Sequence, residues 1–364
     1  MTRLNTALTR LLNITTPVLC APMAFAGGPK VACEVTKGGG FGFTAAGYLD
    51  SQALGKQLST ARAYLNLEPN AVLPIGVGYL TWKLEQVDEK EAHKMLDVSL
   101  DSKVQAVWLA FGTQIGRWIE YIRKATAVTS RSTETNYEYA PKIFVQINSL
   151  DEALVAVNDW KVDAIVAQGL EAGGHGGSYA PSTFSLVSTL LTTLPPGGPP
   201  IIATGGLSNG TQVAALLTLG AAGAAFGTRF LLTPESDYTD LQKDTLLKAD
   251  AKSTVRTLGF DHARNTLGWP QGIDGRGIRN ELIEDYENGV DVNLLREKLR
   301  DGVKAGDPSR MVVWAGQGVG EMKEIVKAEV LVHEIHKALV KGLQNQHLIL
   351  DGSSKDTSKI PASL

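Results

Sequence analysis

Eight short apolar runs with helix-like stretches between them constrain this chain more than any other feature of its sequence. They lie at Pro17 to Ala24, Gly40 to Ala46, Val72 to Leu80, Val104 to Phe111, Lys142 to Asn148, Val162 to Gln168, Pro200 to Thr204 and Gly223 to Leu232. Short apolar runs rich in β-branched residues are what strands buried on both faces require. Helical patterns fill the gaps at Lys30 to Lys37, Ser51 to Leu67, Leu84 to Ser99, Gln114 to Ala125, Leu150 to Trp160, Thr183 to Leu191 and Asn209 to Leu219. Alternation of this kind over about 235 residues suits an α/β fold of the (β/α)8 TIM-barrel type, typically ~250 residues, better than an open doubly wound sheet.

Beyond Glu235 the alternation stops. Residues 236–310 carry long charged helical stretches and a glycine-rich turn at Gly272 to Gly277 but no buried-strand run, which predicts a smaller helical insertion domain over the barrel mouth. Met311 to Gly320 is a second junction from apolar residues to glycines, followed by a helix from Glu321 to about Leu343 that closes the outer ring. The expected organisation is thus a barrel over 1–235, an insertion over 236–310, a returning segment over 311–350 and a disordered tail, rich in Ser and Lys, over 351–364.

Composition narrows the partners. Hydrophobic residues make up 43% of the 364 residues, charged residues 20%, and the formal net charge is −3, which offers no field for nucleic acid or an anionic membrane. No run approaches the roughly 20 apolar residues needed to cross a bilayer. Cys20 and Cys33 make neither a disulfide framework nor a four-ligand metal site, so the chain reads as intracellular and cytoplasmic, with a small-molecule partner and no metal. Arg3 and Arg10 in an opening stretch without acids give a weak likeness to a mitochondrial transit peptide, and the closing Ala-Ser-Leu a weaker one to a peroxisomal address.

The chemistry gathers at strand ends. The run Ala164-Ile-Val-Ala-Gln168 breaks into glycines at 173, 174, 176 and 177 around His175, so irregular backbone at a strand's carboxyl end presents Gln168 and His175 where parallel α/β folds bind ligands. A lone histidine is more often structural; its glycine surroundings favour function. Two further glycine junctions, Thr204-Gly-Gly206 and Phe226-Gly-Thr-Arg229, follow the seventh and eighth runs, where barrels commonly cradle a phosphate. Tight turns alone are the alternative for those glycines. Gly316 to Gly320 is spaced GxGxG and not as a dinucleotide fingerprint. Tyr79 and Trp82 read as packing or as a pocket wall, and the pair His333 and His336 as a solvated helix face.

Together these segments resemble the nitronate monooxygenase family, once called 2-nitropropane dioxygenases, of FMN-dependent barrel enzymes. The likeness is carried by Ala21-Pro-Met-Ala24, Gln168-Gly-Leu-Glu-Ala-Gly-Gly-His175, Thr204-Gly-Gly206, Leu219-Gly-Ala221, Gly227-Thr-Arg-Phe230, Thr233-Pro-Glu-Ser236 and Ala315-Gly-Gln-Gly-Val-Gly320. The resemblance implies FMN lined by Pro22, Met23 and Ala24, bonded at its polar edge by Gln168 and approached by the backbone at Gly173. It also implies a phosphate held at Gly205, Gly206, Gly227 and Thr228, flanked by Phe226 and Arg229. His175 matches the family's histidine beside flavin and substrate, and its imidazole can take an acidic α-proton from a nitroalkane or hold a nitronate. Many relatives carry Asn where this chain has Gly78, which removes a donor near the flavin.

The implied reaction is oxidation of nitronates or nitroalkanes by O2 to carbonyl compounds and nitrite, with a homodimer left open. The same scaffold resembles NAD(P)H:quinone reductases and an FMN-dependent enoyl-acyl carrier protein reductase, whose nicotinamide the insertion would hold. Without the resemblance, the residues alone admit a barrel enzyme or binder for another phosphorylated ligand.

Overall fold

The structure is a computed structural model, and it describes residues 1–132 and 139–350. All eight apolar runs become barrel strands. They are β1 (Val18–Cys20), β2 (Phe41–Ala45), β3 (Leu73–Leu80), β4 (Val104–Ala110), β5 (Lys142–Ile147), β6 (Ala164–Gln168), β8 (Ile201–Thr204) and β9 (Gly223–Phe226). Every neighbouring pair is parallel, and β9 returns to β1 with Leu19 opposite Ala225 to close the barrel. The last run is shorter than its apolar residues suggest: β9 stops at Phe226, Gly227 turns the backbone, and Thr228–Leu231 is one turn of helix.

A period of two sorts each strand between two cores. Ala106, Trp108, Phe144, Ala164, Val166, Ile202 and Ala225 point into the barrel, where Phe43 meets the rings of Trp108 at 5.1 Å and Phe144 at 5.5 Å, both edge-on. Val107, Leu109, Ile143, Val145, Ile165 and Ala167 point outward onto the helices. The opening segment belongs to this fold. Thr6 caps a helix at Ala7–Leu12, and Leu8 and Leu12 pack into the interior cluster.

The outer ring follows the expected order with two changes. The stretch expected as one helix from Leu84 is two, Thr81–Gln86 and Glu89–Asp101, because the Asp88 side chain accepts from the N–H of Glu91 and starts a new helix there. The closing helix runs over Ala328–Leu350, later than expected, after a 3-10 turn at Gln317–Glu321. It buries Leu331, Val332, Ile335 and Leu339 against Val31 and Val35 of the helix Pro29–Lys37 and Val213 of the helix Gly210–Leu219. Each such aliphatic side chain contributes about 1.5–3 kcal/mol when fully buried. A Cβ on Gly210 would come within 2.0 Å of the Ile335 carbonyl oxygen, so a side chain there would push this helix off the barrel. His336 lies on the same inner face and is buried, which corrects the solvated reading of that histidine; His333 is exposed.

The insertion holds four helices, Asp240–Lys248, Gly259–Arg264, Glu281–Glu287 and Val292–Ala305, but it is not purely helical. Thr254–Thr257 (β10) and Ile273–Ile278 (β11) are strands, so the expected glycine-rich turn at 272–277 is mostly strand. β11 pairs antiparallel with Gly174–Gly177 (β7), with Gly275 opposite His175. The glycine loop around His175 is therefore the edge strand of a second sheet, ordered β10-β11-β7. A search for buried apolar runs misses such strands, because β10 is half-exposed along its whole length and β11 alternates glycines with Asp274 and Arg276. The expected tail at 351–364 lies outside the described residues.

Candidate active site

A cavity of about 170 Å³ opens at the carboxyl ends of the barrel strands, the edge where this fold binds ligands. Of the residues expected there, Pro22, Met23, Ala24, Gln168, Gly173, His175, Gly205, Gly206, Gly227 and Thr228 line it. Phe226 and Arg229 do not. Ala225 points into the barrel, so alternation turns Phe226 outward into the core under the closing helix. Arg229 is buried behind the wall and donates to the Glu324 carbonyl at 3.0 Å. Tyr79 also faces outward, donating to the Met95 carbonyl at 2.8 Å, and Trp82 packs on Trp269 with ring centroids 5.0 Å apart.

On the barrel side the wall is backbone. Gly205 and Gly206 have φ of +123° and +68°, conformations open to glycine and strained for other residues. A Cβ on Gly227 would meet nothing nearer than Met23 Sδ at 3.7 Å, so this glycine borders open space that a ligand can fill. The helix Gly210–Leu219 begins just beyond, with Asn209 as its N-cap. Gly173 has a different neighbour from the expected one: a Cβ there would lie 2.4 Å from the N of Gly316, so its smoothness admits the returning segment of the chain itself. That segment is tied down by the N–H of Gly316, which donates to Thr228 Oγ1 at 2.9 Å. Gly78 likewise makes room for Pro22, whose ring a Cβ would meet at 2.3 Å, and Asn would not fit there without moving the first loop.

The interior row ends in amides. Gln168 Nε2 donates to the His175 carbonyl at 3.0 Å, and its Oε1 accepts from Asn148 at 3.0 Å, leaving one N–H and one lone pair for a ligand. Gln146 was missed by sequence reasoning. Its Oε1 accepts from Trp108 Nε1 at 3.2 Å, while its Nε2 is buried without a partner among the described residues and the residue lines the cavity. An orphaned donor costs about 1–3 kcal/mol, which a ligand acceptor at this wall offsets. The signal was available: Gln146 stands two residues after Phe144, at the carboxyl end of a run, and so shares its inward face.

The facing wall is built of side chains. His175 Nε2 lies 3.0 and 2.9 Å from the two carboxylate oxygens of Asp261, which is fully buried. Thr266 Oγ1 and Trp269 Nε1 also donate to Asp261, at 2.8 and 3.2 Å, so the carboxylate is the acceptor and His175 Nε2 carries the hydrogen. The lone pair of the neutral imidazole then sits on Nδ1, which has no hydrogen-bond partner among the described residues. The ring lies flat on Trp269, centroids 3.6 Å apart and planes 12° apart, and is walled by Trp314 at 5.0 Å. Burial holds the imidazole below its ordinary pKa; Asp261 pulls upward, and Arg264 and Arg256 push the same way as burial. Asp261 and Trp269 were also missed, because only the pairing of β7 with β11 brings the insertion to His175.

Two arginines hold that pairing. Arg256 donates to the Gly176 carbonyl at 2.7 Å and pairs with Asp274; Arg276 donates to the Leu170 carbonyl at 3.2 Å. Burial, then the nearby Arg256, lowers Arg276 to about 10.

A family model described as nitronate monooxygenase matches residues 5–338. The chain belongs to the nitronate monooxygenase family. It is therefore an oxidoreductase of a flavin-dependent family, and the glycine wall, the orphaned Gln146 donor and the open space at Gly227 fit a flavin. The chain is 34% identical to the nitronate monooxygenase npaC of Metarhizium robertsii, over 87% of this chain and 89% of that one. It is 30% identical to the nitronate monooxygenase of Neurospora crassa, over 88% of each. Among solved structures, FabK from Thermotoga maritima superposes with a TM-score of 0.74 at 26% identity, covering 95% of this chain and 99% of that one. A nitroalkane oxidase from Streptomyces ansochromogenes gives 0.73 at 26% identity, covering 94% and 100%. The fold alone does not separate these two neighbours. Among the described residues no helix is long and apolar enough to cross a membrane.

Proposed function

We propose that this enzyme uses FMN and O2 to oxidise nitronates, and the neutral nitroalkanes that give rise to them, to carbonyl compounds and nitrite. The observation that carries the reading is the His175–Asp261 pair facing a cavity whose opposite wall is glycine backbone. FMN would be held by Pro22, Met23 and Ala24, by Gln168 and Gln146, and by Gly205, Gly206, Gly227 and Thr228 at its phosphate. Bound there, it supplies the two-electron acceptor that none of the amino-acid side chains offers.

The chain's own part is proton chemistry and positioning. His175 Nδ1 takes the α-proton of a neutral nitroalkane: the C–H bond breaks, its electron pair moves into the nitro group, and a nitronate results. Asp261 fixes the tautomer that leaves Nδ1 free and stabilises the imidazolium that forms. The lowered pKa keeps the ring neutral, and so basic, at physiological pH. Trp269 and Trp314 exclude water from the imidazole and keep the substrate against it.

The test is direct. The purified protein should be yellow, should release intact FMN on heating, and should form nitrite from propyl-2-nitronate in air. Fast anaerobic bleaching by NADH or NADPH with no nitronate turnover would replace this reading with a nicotinamide-dependent reductase. A colourless protein that takes up no FMN would remove the flavin altogether.

A further inference from the structure

Arg264 is a cation without a counter-charge. It lines the cavity, yet its guanidinium has no hydrogen bond or ion pair with any described residue. Aromatic faces hold it instead, with Cζ 5.7 Å from the ring centroids of both Phe25 and Trp314. The nearest acid on its own helix, Asp261, lies one turn back and is fully engaged with His175, Thr266 and Trp269. Phe25 is held at φ +60°, a costly conformation for an aromatic residue, with its ring stacked on Tyr48 at 5.3 Å. Strained backbone thus forms one wall of a guanidinium that makes no hydrogen bond or ion pair among the described residues. Arg264 stands with His175 around Trp314, whose ring centroid lies 5.0 Å from that of the imidazole.

We propose that Arg264 is the anion site of the reaction, binding the oxygens of the nitro group while His175 faces the carbon. The planar fork of a guanidinium matches the two coplanar oxygens of a nitronate, and charge-assisted pairs of this kind are the stronger hydrogen bonds. As the α-proton leaves for Nδ1, negative charge grows on those oxygens and the attraction to Arg264 grows with it. One helical turn, Asp261 to Arg264, therefore supplies both the partner of the base and the partner of the anion. Arg264 holds an already formed nitronate in the same way, which accounts for binding in a step where His175 has no proton to take.

This rests on the nitronate reading above, and the experiment separates the two. Nitrate, a planar oxyanion of single charge, is titrated into the FMN-loaded enzyme and followed by calorimetry, alongside steady-state kinetics with propyl-2-nitronate. Arg264→Met should weaken nitrate and raise the KM for nitronate by about 10- to 100-fold, with FMN content unchanged; Arg264→Lys should recover part of both. His175→Asn should bind nitrate nearly as the parent does. If the Met variant keeps FMN, nitrate affinity and nitronate KM within twofold of the parent, the proposal falls. It falls equally if that variant loses FMN while apoprotein still binds nitrate. Nitrate binding that depends on Arg264 in an enzyme that does not oxidise nitronate would keep the anion site and overturn only the substrate.

Discussion

On one side of the cavity Gly205, Gly206 and Gly227 present backbone at the ends of β8 and β9; on the other His175, Asp261, Trp269 and Arg264 present side chains carried by β7 and the insertion. The first side is rigid because barrel strands position it, and it suits a group that every member of a cofactor class shares. The second is a graft: a glycine strand hydrogen-bonded to β11 and clamped by Arg256 and Arg276. Damage to one side should therefore leave the work of the other largely intact.

The largest effect should come from His175→Asn, which removes the base and keeps the glycine wall. Oxidation of neutral nitroalkanes should fall by about 10² to 10⁴, the usual weight of general-base catalysis, while FMN stays bound and nitronate turnover falls far less. Steady-state rates with both substrate forms check this. Equal rates with the parent would show that the histidine only shapes its strand.

Asp261→Asn should lower the same nitroalkane activity by about 10², the lower end of what general-base catalysis contributes, while leaving flavin content alone. Its pH profile sharpens the point. In the parent, kcat/KM for a neutral nitroalkane should rise with pH through the lowered His175 pKa and then level off. Because Asp261 raises that pKa, its removal should move the rising limb to lower pH. A limb that moves upward would mean that Asp261 does not act on the imidazole.

The converse damage is Gly227→Val. Its φ of −102° lies outside the left-handed region, and the nearest atom to a new Cβ is 3.7 Å away, so the fold should survive with that space filled. FMN affinity should drop about tenfold or more, roughly 1.4 kcal/mol, with the pH profile of the reloaded enzyme unchanged. Arg256→Ala should have the smallest effect: a few-fold loss of nitroalkane activity and faster amide exchange at Gly174 to Gly177, with barrel strands protected as before.

The same division explains what the sequence discloses. Barrel strands are short apolar runs because both faces are buried, so β1 to β6, β8 and β9 can be read directly, and the glycines after β8 and β9 with them. β10 and β11 earn their place by backbone pairing to β7, and Thr254-Val-Arg-Thr257 bears no apolar stamp. Asp261 is one carboxylate among many until that pairing sets it against His175. Phe226 and Arg229 were drawn toward the cofactor by a motif whose alternation, applied residue by residue, turns Phe226 away. Gln146 was open to the same argument in the opposite direction.

The helix Ala328–Leu350 has a consequence for how the protein is made. It covers the apolar stripe formed by Val31, Val35 and Val213, so the wall between the first and last barrel helices is completed by the final part of the described chain. During synthesis that stripe, assembled from residues translated long before, waits exposed while the whole insertion is threaded out. A nascent chain paused short of residue 328 has all eight barrel strands but a sticky seam in its helix ring, the kind of intermediate that chaperones bind and that aggregates without them.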